Sequence, residues 1–365
     1  MVALRLTLLR LGVLLWILMT ALALASGMVG AALPAANQIA YTARPRGQTD
    51  IFLADTSRRL AANLTRHPAE DVLPAWSPDG QKLAFLSNRL GDGFIVHVMN
   101  APGARPYPVA AGYRASAVPA WSPEGGRLAL VSSIRGSAKV VIASVEGDEP
   151  YILNQTSATD SPALWSPGGG WLVYLSFRDG NPRLYAASPD CIRQPSGCRF
   201  NDHPLLPAVI VSWPPAWSPD GRWLALSAMG LGSLRLYRVE IRCTTLPQDC
   251  VGQRQRLDTG HDSDWTPVWS PDGQKLAFAS RPAGSTDLFL MDLTTGAVQQ
   301  LTDDPASEQL PAWSPDGRYL AYISTRSWGL NIHLVDTVTG DTAPLTANGI
   351  ADVMTPAWRP LRGGR

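Results

Sequence analysis

The ten residues WSPDGQKLAF stand at positions 76–85 and again, letter for letter, at 269–278. A catalytic nucleophile is needed once, whereas a structural unit needs its turn and its strand in every copy. Internal repetition is therefore the first hypothesis to test. The tryptophan of this stretch recurs as Trp76, Trp121, Trp165, Trp217, Trp269, Trp313 and Trp358, in the contexts PAWSPDG, PAWSPEG, ALWSPGG, PAWSPDG, PVWSPDG, PAWSPDG and PAWRPLR. Successive spacings are 45, 44, 52, 52, 44 and 45 residues. A period of about 40–45 residues holding several short strands is that of a β-propeller blade.

Each period reads as four strands, lettered a to d. In the unit of Trp313 these are 311–314, 318–324, 330–336 and 342–346, where apolar residues alternate or run in short β-rich blocks between turn residues. SPDG reads as a hairpin turn: proline presets φ, aspartate bonds amides ahead of it, and glycine takes a positive φ. Seven tryptophans at one register point to apolar packing between neighbouring blades. At the N-terminal end, 38–42, 50–55 and 60–64 read as strands b, c and d without an a. At the other end, 355–358 reads as a strand a with nothing after it. Joined, they make one blade. The expectation is an all-β, seven-bladed propeller of four-stranded blades over residues 37–358, closed by the C-terminal strand a joining N-terminal strands b to d, with 359–365 as a tail. Closure removes the exposed edge of an open array.

These residues resemble the WD-like Pro-Asp repeat of TolB-type propellers, a unit of the form PAWSPDGxxLAFxSxRxGxxDLYxxD. The resemblance covers 37–358 and implies a fold far more than a function, because propellers carry many unrelated activities. TolB-type proteins have an additional N-terminal domain, and here strand b follows the apolar N-terminal segment almost directly, so a Tol–Pal role is not expected. Some peptidases of related build add a catalytic α/β domain, but no G-x-S-x-G elbow occurs in this sequence.

Residues 1–36 read as a signal peptide or an N-terminal membrane anchor. Arg5 and Arg10 precede a charge-free apolar run from Leu11 to about Leu33, and Ala23-Leu24-Ala25 offers a cleavage site. The run is also long enough to span a bilayer, which takes roughly 20 residues. Both readings place the remainder outside the cytoplasm, secreted, periplasmic or anchored. The 31 basic and 30 acidic side chains nearly cancel with no run of one sign, which argues against nucleic-acid binding.

Cys191 and Cys198 follow Trp165 by the same offsets, 26 and 33, at which Cys243 and Cys250 follow Trp217, in the two periods that are 52 residues long. The added residues read as enlarged c–d loops. Two local disulfides, Cys191–Cys198 and Cys243–Cys250, are expected in an oxidising compartment. A four-cysteine zinc site is the alternative, although zinc pairs usually leave about two to four residues between cysteines and these leave six.

The d–a and b–c loops share one face, here called the top. Asp71, Asp160, Asp264 and Glu308 stand five residues before the marker tryptophan, and Arg89, Arg135, Arg178, Arg281 and Arg326 stand 12 to 14 after it. Their joint occurrence suggests structural ion pairs. Arg135 is the exception, with Ser116 at the acid offset. Ser212 takes that offset in the period of Trp217, followed by Trp213; Trp265 holds the same place in the next period. Tyr113 and Trp328 fall in top-face loops as well. Aromatics beside an unpaired arginine are common anchors of protein or glycan contacts. Trp213, Trp265, Arg135, Tyr113 and Trp328 are the candidate binding residues.

Propeller lyases of the same repeat superfamily are thought to use a histidine cluster with a metal. The five histidines here are dispersed, and His97 and His333 fall on strand c. No cofactor, metal site or catalytic residue is expected. The reading is a monomeric, non-catalytic scaffold that binds a protein or glycan partner. A carbohydrate-active lyase or hydrolase and a purely structural cell-envelope component are the alternatives.

Overall fold

The computed structural model describes residues 37–45, 47–56, 60–91, 93–153, 156–187, 202–206, 209–212, 215–230, 232–242, 251–282, 284–326, 329–346 and 354–361. Residues 1–36 lie outside them, as do Cys191, Cys198, Cys243 and Cys250. The strands form seven four-stranded antiparallel sheets, each ordered a-b-c-d. Strand Met354–Trp358 pairs with Gln38–Ala43 in the sheet that continues through Asp50–Asp55 and Leu60–Asn63. The two ends of the chain thus complete one blade, and the propeller is closed. In the blade of Trp313 the strands are Glu308–Trp313, Tyr319–Ser324, Asn331–Asp336 and Thr342–Pro344, so strand a starts three residues earlier than its apolar pattern indicated.

Each blade is two-faced, and each face buries its apolar residues against a neighbour. The core accordingly divides into seven clusters, one for each junction between adjacent blades. Every marker tryptophan belongs to the cluster between its own blade and the preceding one. Five of the indoles also donate a hydrogen bond to the preceding blade, to the carbonyl just before that blade's own marker. Trp121 Nε1 bonds Ala75 O (3.0 Å), Trp165 bonds Ala120 O (3.2 Å) and Trp269 bonds Ala216 O (2.9 Å). Trp313 bonds Val268 O (3.1 Å) and Trp358 bonds Ala312 O (2.9 Å). The wedge is apolar in bulk and polar at one atom, which fixes its orientation.

The SPDG turns show why the tetrapeptide recurs. Ser77 Oγ donates to Asp79 Oδ1 (2.5 Å) and accepts from the Lys82 amide (2.8 Å), while Asp79 Oδ1 accepts from the Gln81 amide (3.0 Å). The same Ser–Asp contact recurs at 218–220, 270–272 and 314–316. Each turn closes on a glycine with φ between 65° and 74°, a conformation in which a Cβ would clash.

A second regularity is a bulge in strand a. Leu73, Thr266 and Leu310, each three residues before the marker, have φ of 55°, 48° and 53°. At these points the a–b ladder changes register. A proline follows each of them, where a bulge tolerates the missing donor. Cross-strand aromatic pairs complete the pattern: Tyr41–Phe52, Phe85–His97, Tyr174–Tyr185, Phe278–Phe289 and Tyr322–His333. His97 and His333 therefore fill the slot that Phe289 fills in another blade.

Candidate binding face

Strands a of neighbouring blades touch around the ring, which places them innermost. Their first residues lie at the top, opposite the last residues of strand b. In four blades an acid there faces a serine: Asp71 and Ser87, Asp160 and Ser176, Asp264 and Ser280, Glu308 and Ser324. All four acids are buried. Burying a carboxylate without a partner is costly, and the four sites meet that cost differently.

Asp71 receives Arg89 Nη2 at 2.9 Å on both oxygens, and Arg89 lies over the Phe85 ring. Glu308 accepts from Ser324 Oγ (2.9 Å) and lies 3.4 Å from Arg326, which also pairs with Asp304. Asp160 is 3.5 Å from Lys139 Nζ, while Arg178 bonds Tyr174 Oη and stacks 3.9 Å over Tyr185. Asp264 accepts from Thr259 Oγ1 at 2.6 Å. Its expected partner Arg281 is exposed and donates instead to Gly284 O (2.9 Å), so the pair suggested by the spacing does not form there. Burial pushes both Asp264 and Glu308 above the ordinary carboxylate range.

The two exceptional blades differ from the offset count by one residue. Ala115, not Ser116, opposes Ser132, and Val211, not Ser212, opposes Ala228. In both, the strand a pairing is split into this isolated bridge and a two-residue ladder at the marker tryptophan. An apolar residue thus takes the acid's place, which leaves Arg135 with no carboxylate across from it.

Arg135 is exposed at the tip of a two-residue hairpin, Arg135–Gly136, between Ile134 and Ser137. Both tip residues have positive φ, 52° and 84°, the geometry of a type I′ turn. Among the described residues Arg135 has no hydrogen-bond or ion-pair partner. Beside it, Ile134, Arg135, Ser137, Lys139, Ile152 and Thr156 help to line a cleft of about 380 Å³. Lys139 was not singled out in the sequence. A lysine within the strand sequence SAKVVIAS is the one signal that could have marked it.

Of the other candidates, Tyr113 is half-buried against the cluster between the blades of Trp76 and Trp121. Trp265 is half-buried in strand a and packs against the cluster between its own blade and that of Trp313. Trp213 and Trp328 lie outside the described residues. The structure therefore brings Arg135 to an open cleft and turns Tyr113 and Trp265 toward blade junctions. A second cleft, about 780 Å³, opens among the a–b and c–d loops and is lined by Glu124, Arg127, Glu146, Asp148 and Gly169. Among the described residues, no three of His, Cys, Asp and Glu converge in a way that could hold a metal ion.

A closed ring of seven Trp-wedged blades, four of them with SPDG turns, defines a repeat propeller. Residues 248–363 match the family described as the TolB beta propeller domain. Over these residues the chain carries the TolB-type propeller repeat, and it is distantly similar to TolB. A Tol-Pal system protein TolB of Francisella tularensis is 31% identical over 90 residues, 24% of this chain and 19% of that protein. The chain spans about a fifth of the length of the curated relatives it matches first. The crystal structure of TolB from Acinetobacter baumannii superposes with a TM-score of 0.54 at 19% identity, covering 91% of this chain and 69% of that one. An oligogalacturonate lyase from Vibrio parahaemolyticus superposes with a TM-score of 0.64 at 10% identity, covering 84% and 93%. At such identities the likeness concerns the fold, which binding proteins and enzymes share.

Proposed function

We propose that the chain is a non-catalytic scaffold that holds a protein or glycan partner through its top-face loops. In this reading it acts outside the cytoplasm as a monomer, secreted, periplasmic or anchored through residues 1–36. The cysteine pairs 191–198 and 243–250 pin two enlarged loops by local disulfides. The observation that carries the reading is the use made of the top-face charges. Asp71 with Arg89, Glu308 with Arg326 and Asp160 with Lys139 tie strand ends together. His97 and His333 stack singly in separate blades. Charges spent on architecture leave the exposed loops for recognition.

The test is binding to a glycan array and to candidate envelope proteins, before and after a Trp213→Ala, Trp265→Ala double substitution. Loss of binding with an unchanged melting curve supports the reading, and unchanged binding rejects this choice of surface. Turnover of a polysaccharide by purified residues 37–365, abolished by a chelator, would establish the competing enzymatic reading.

A further inference from the structure

We infer that the cleft beside Arg135 is a carboxylate-binding pocket, and that its occupant is an acidic side chain, with an adjoining aliphatic residue, on a protein partner. The inference rests on the reading of the top face as a recognition surface and deepens it.

Three observations converge. The first is a charge released by the repeat itself. In the blades of Trp76 and Trp313 the arginine after strand b meets the acid that starts strand a. In the blade of Trp121 that acid is replaced by Ala115, and strand b runs on through Ile134, so Arg135 stands one position further along, at the hairpin tip, with no internal anion opposite it. The second is rigidity. Arg135 projects from the tightest connection two strands can have, and Ser137 Oγ braces the hairpin foot by donating to Ser157 O at 2.6 Å. The short hairpin holds the backbone beneath this cation still, so meeting an anion costs the freedom of the side chain alone. The third is the pocket's second cation. Lys139 is buried, and its ammonium is held by Thr156 Oγ1 (3.2 Å), by the Ala158 carbonyl and by Asp160 at 3.5 Å. Lys139 is thus held within the fold, which leaves Arg135 as the one cation of the described lining without a partner. That suits a single carboxylate rather than a phosphate carrying two charges.

The walls choose between sources of that carboxylate. Ile134 and Ile152 give the cleft an aliphatic side, and none of its described lining residues is aromatic. A uronate ring would find no face to stack on, whereas a leucine or valine next to a glutamate would find apolar surface. A charge-assisted bond in a partly desolvated cleft is stronger than a neutral one.

The test uses residues 37–365 and a fluorescence-anisotropy panel of hexapeptides. Each member carries one Glu or Asp between aliphatic residues, beside its Gln or Asn twin; digalacturonate serves as competitor. The acidic members should bind about tenfold or more tightly than their twins, and the preference should weaken with salt. Arg135→Asn, whose new side chain tolerates positive φ, should erase the preference. Arg281→Asn, on the same face, should leave it intact. Three results would overturn the pocket: equal binding of acidic and amide peptides, preference unchanged in R135N, or displacement by digalacturonate at lower concentration than by peptide. If R135N binds normally while the Trp213/Trp265 variant does not, the face survives and the pocket falls.

Discussion

The guanidinium of Arg359 lies over the indole of Trp76, 4.9 Å from the ring centroid. The same side chain donates to Gly80 O (2.7 Å) and to Gln38 Oε1 (2.6 Å). One residue past the last strand thus binds both the closing blade and the blade after it. This is also a junction where the marker indole has no hydrogen-bond partner among the described residues. Arg359→Ala should lower stability by about 1–3 kcal/mol, from the lost cation–π contact and charge-assisted hydrogen bonds. Urea denaturation would measure it, and an unmoved midpoint would dismiss the latch.

The indole stitch separates two kinds of marker tryptophan. Trp269 donates to Ala216 O, whereas Trp217 has no partner for its Nε1 among the described residues. Replacing each by phenylalanine removes similar apolar surface but strands a half-buried carbonyl only in the first case. Trp269→Phe should cost about 1 kcal/mol more than Trp217→Phe. Equal losses would mean that the wedge acts through packing alone.

His333 gives the ring a pH dependence of defined sign. Burial holds its pKa at about 4, against an ordinary 6.5, so the folded protein keeps it uncharged through the mildly acidic range. The stability linked to this residue is complete above the unfolded value and is lost as pH falls from about 6.5 toward 4, on the order of 2–3 kcal/mol. Asp264 and Glu308, raised by burial, act in the opposite sense, so the comparison has to be made against a variant. His333→Phe installs the residue that stands at this slot as Phe289, and the Nδ1 it removes has no partner among the described residues. Its urea midpoint should fall less than that of the wild type between pH 7 and pH 4.5. Parallel curves would refute the assignment.

Gly80 and Gly221 hold the same turn position, with φ of 65° and 71°. Alanine at either should cost about 1–2 kcal/mol for the left-handed conformation. At Gly80 the new Cβ would also come within 2.8 Å of Pro360 O, while at Gly221 the nearest atom is Pro167 Cδ at 3.6 Å. Gly80→Ala should therefore be the more damaging, by thermal melting. The reverse order would show that residues after Trp358 yield freely.

The ring was legible because its defining signal repeats: a tryptophan in one register seven times leaves little freedom in blade number or closure. The site was legible only in outline, because offsets from Trp76 or Trp121 assume an even ladder. The register change near Leu73 and the added residue before Trp121 both break that assumption, and so a count of five lands on Ser116 where the structure has Ala115. Offsets also say nothing about which way a ring turns. Trp265 occupies a top-face position and still packs against a junction between blades. Arg281 occupies the arginine offset and bonds a neighbouring carbonyl instead of Asp264. Lys139 escaped notice because a cation in a strand has no repeat partner to reveal it.

Closing one blade from both chain ends has a consequence for assembly. The sheet made by residues 38–63 contains three strands from the start and has an unpaired inner edge, which Met354–Trp358 alone covers. During synthesis that edge stands ready to pair with any passing strand until Met354–Trp358 has emerged. A copy that lacked Met354–Trp358 would keep that edge open, and two such copies would exchange strands there.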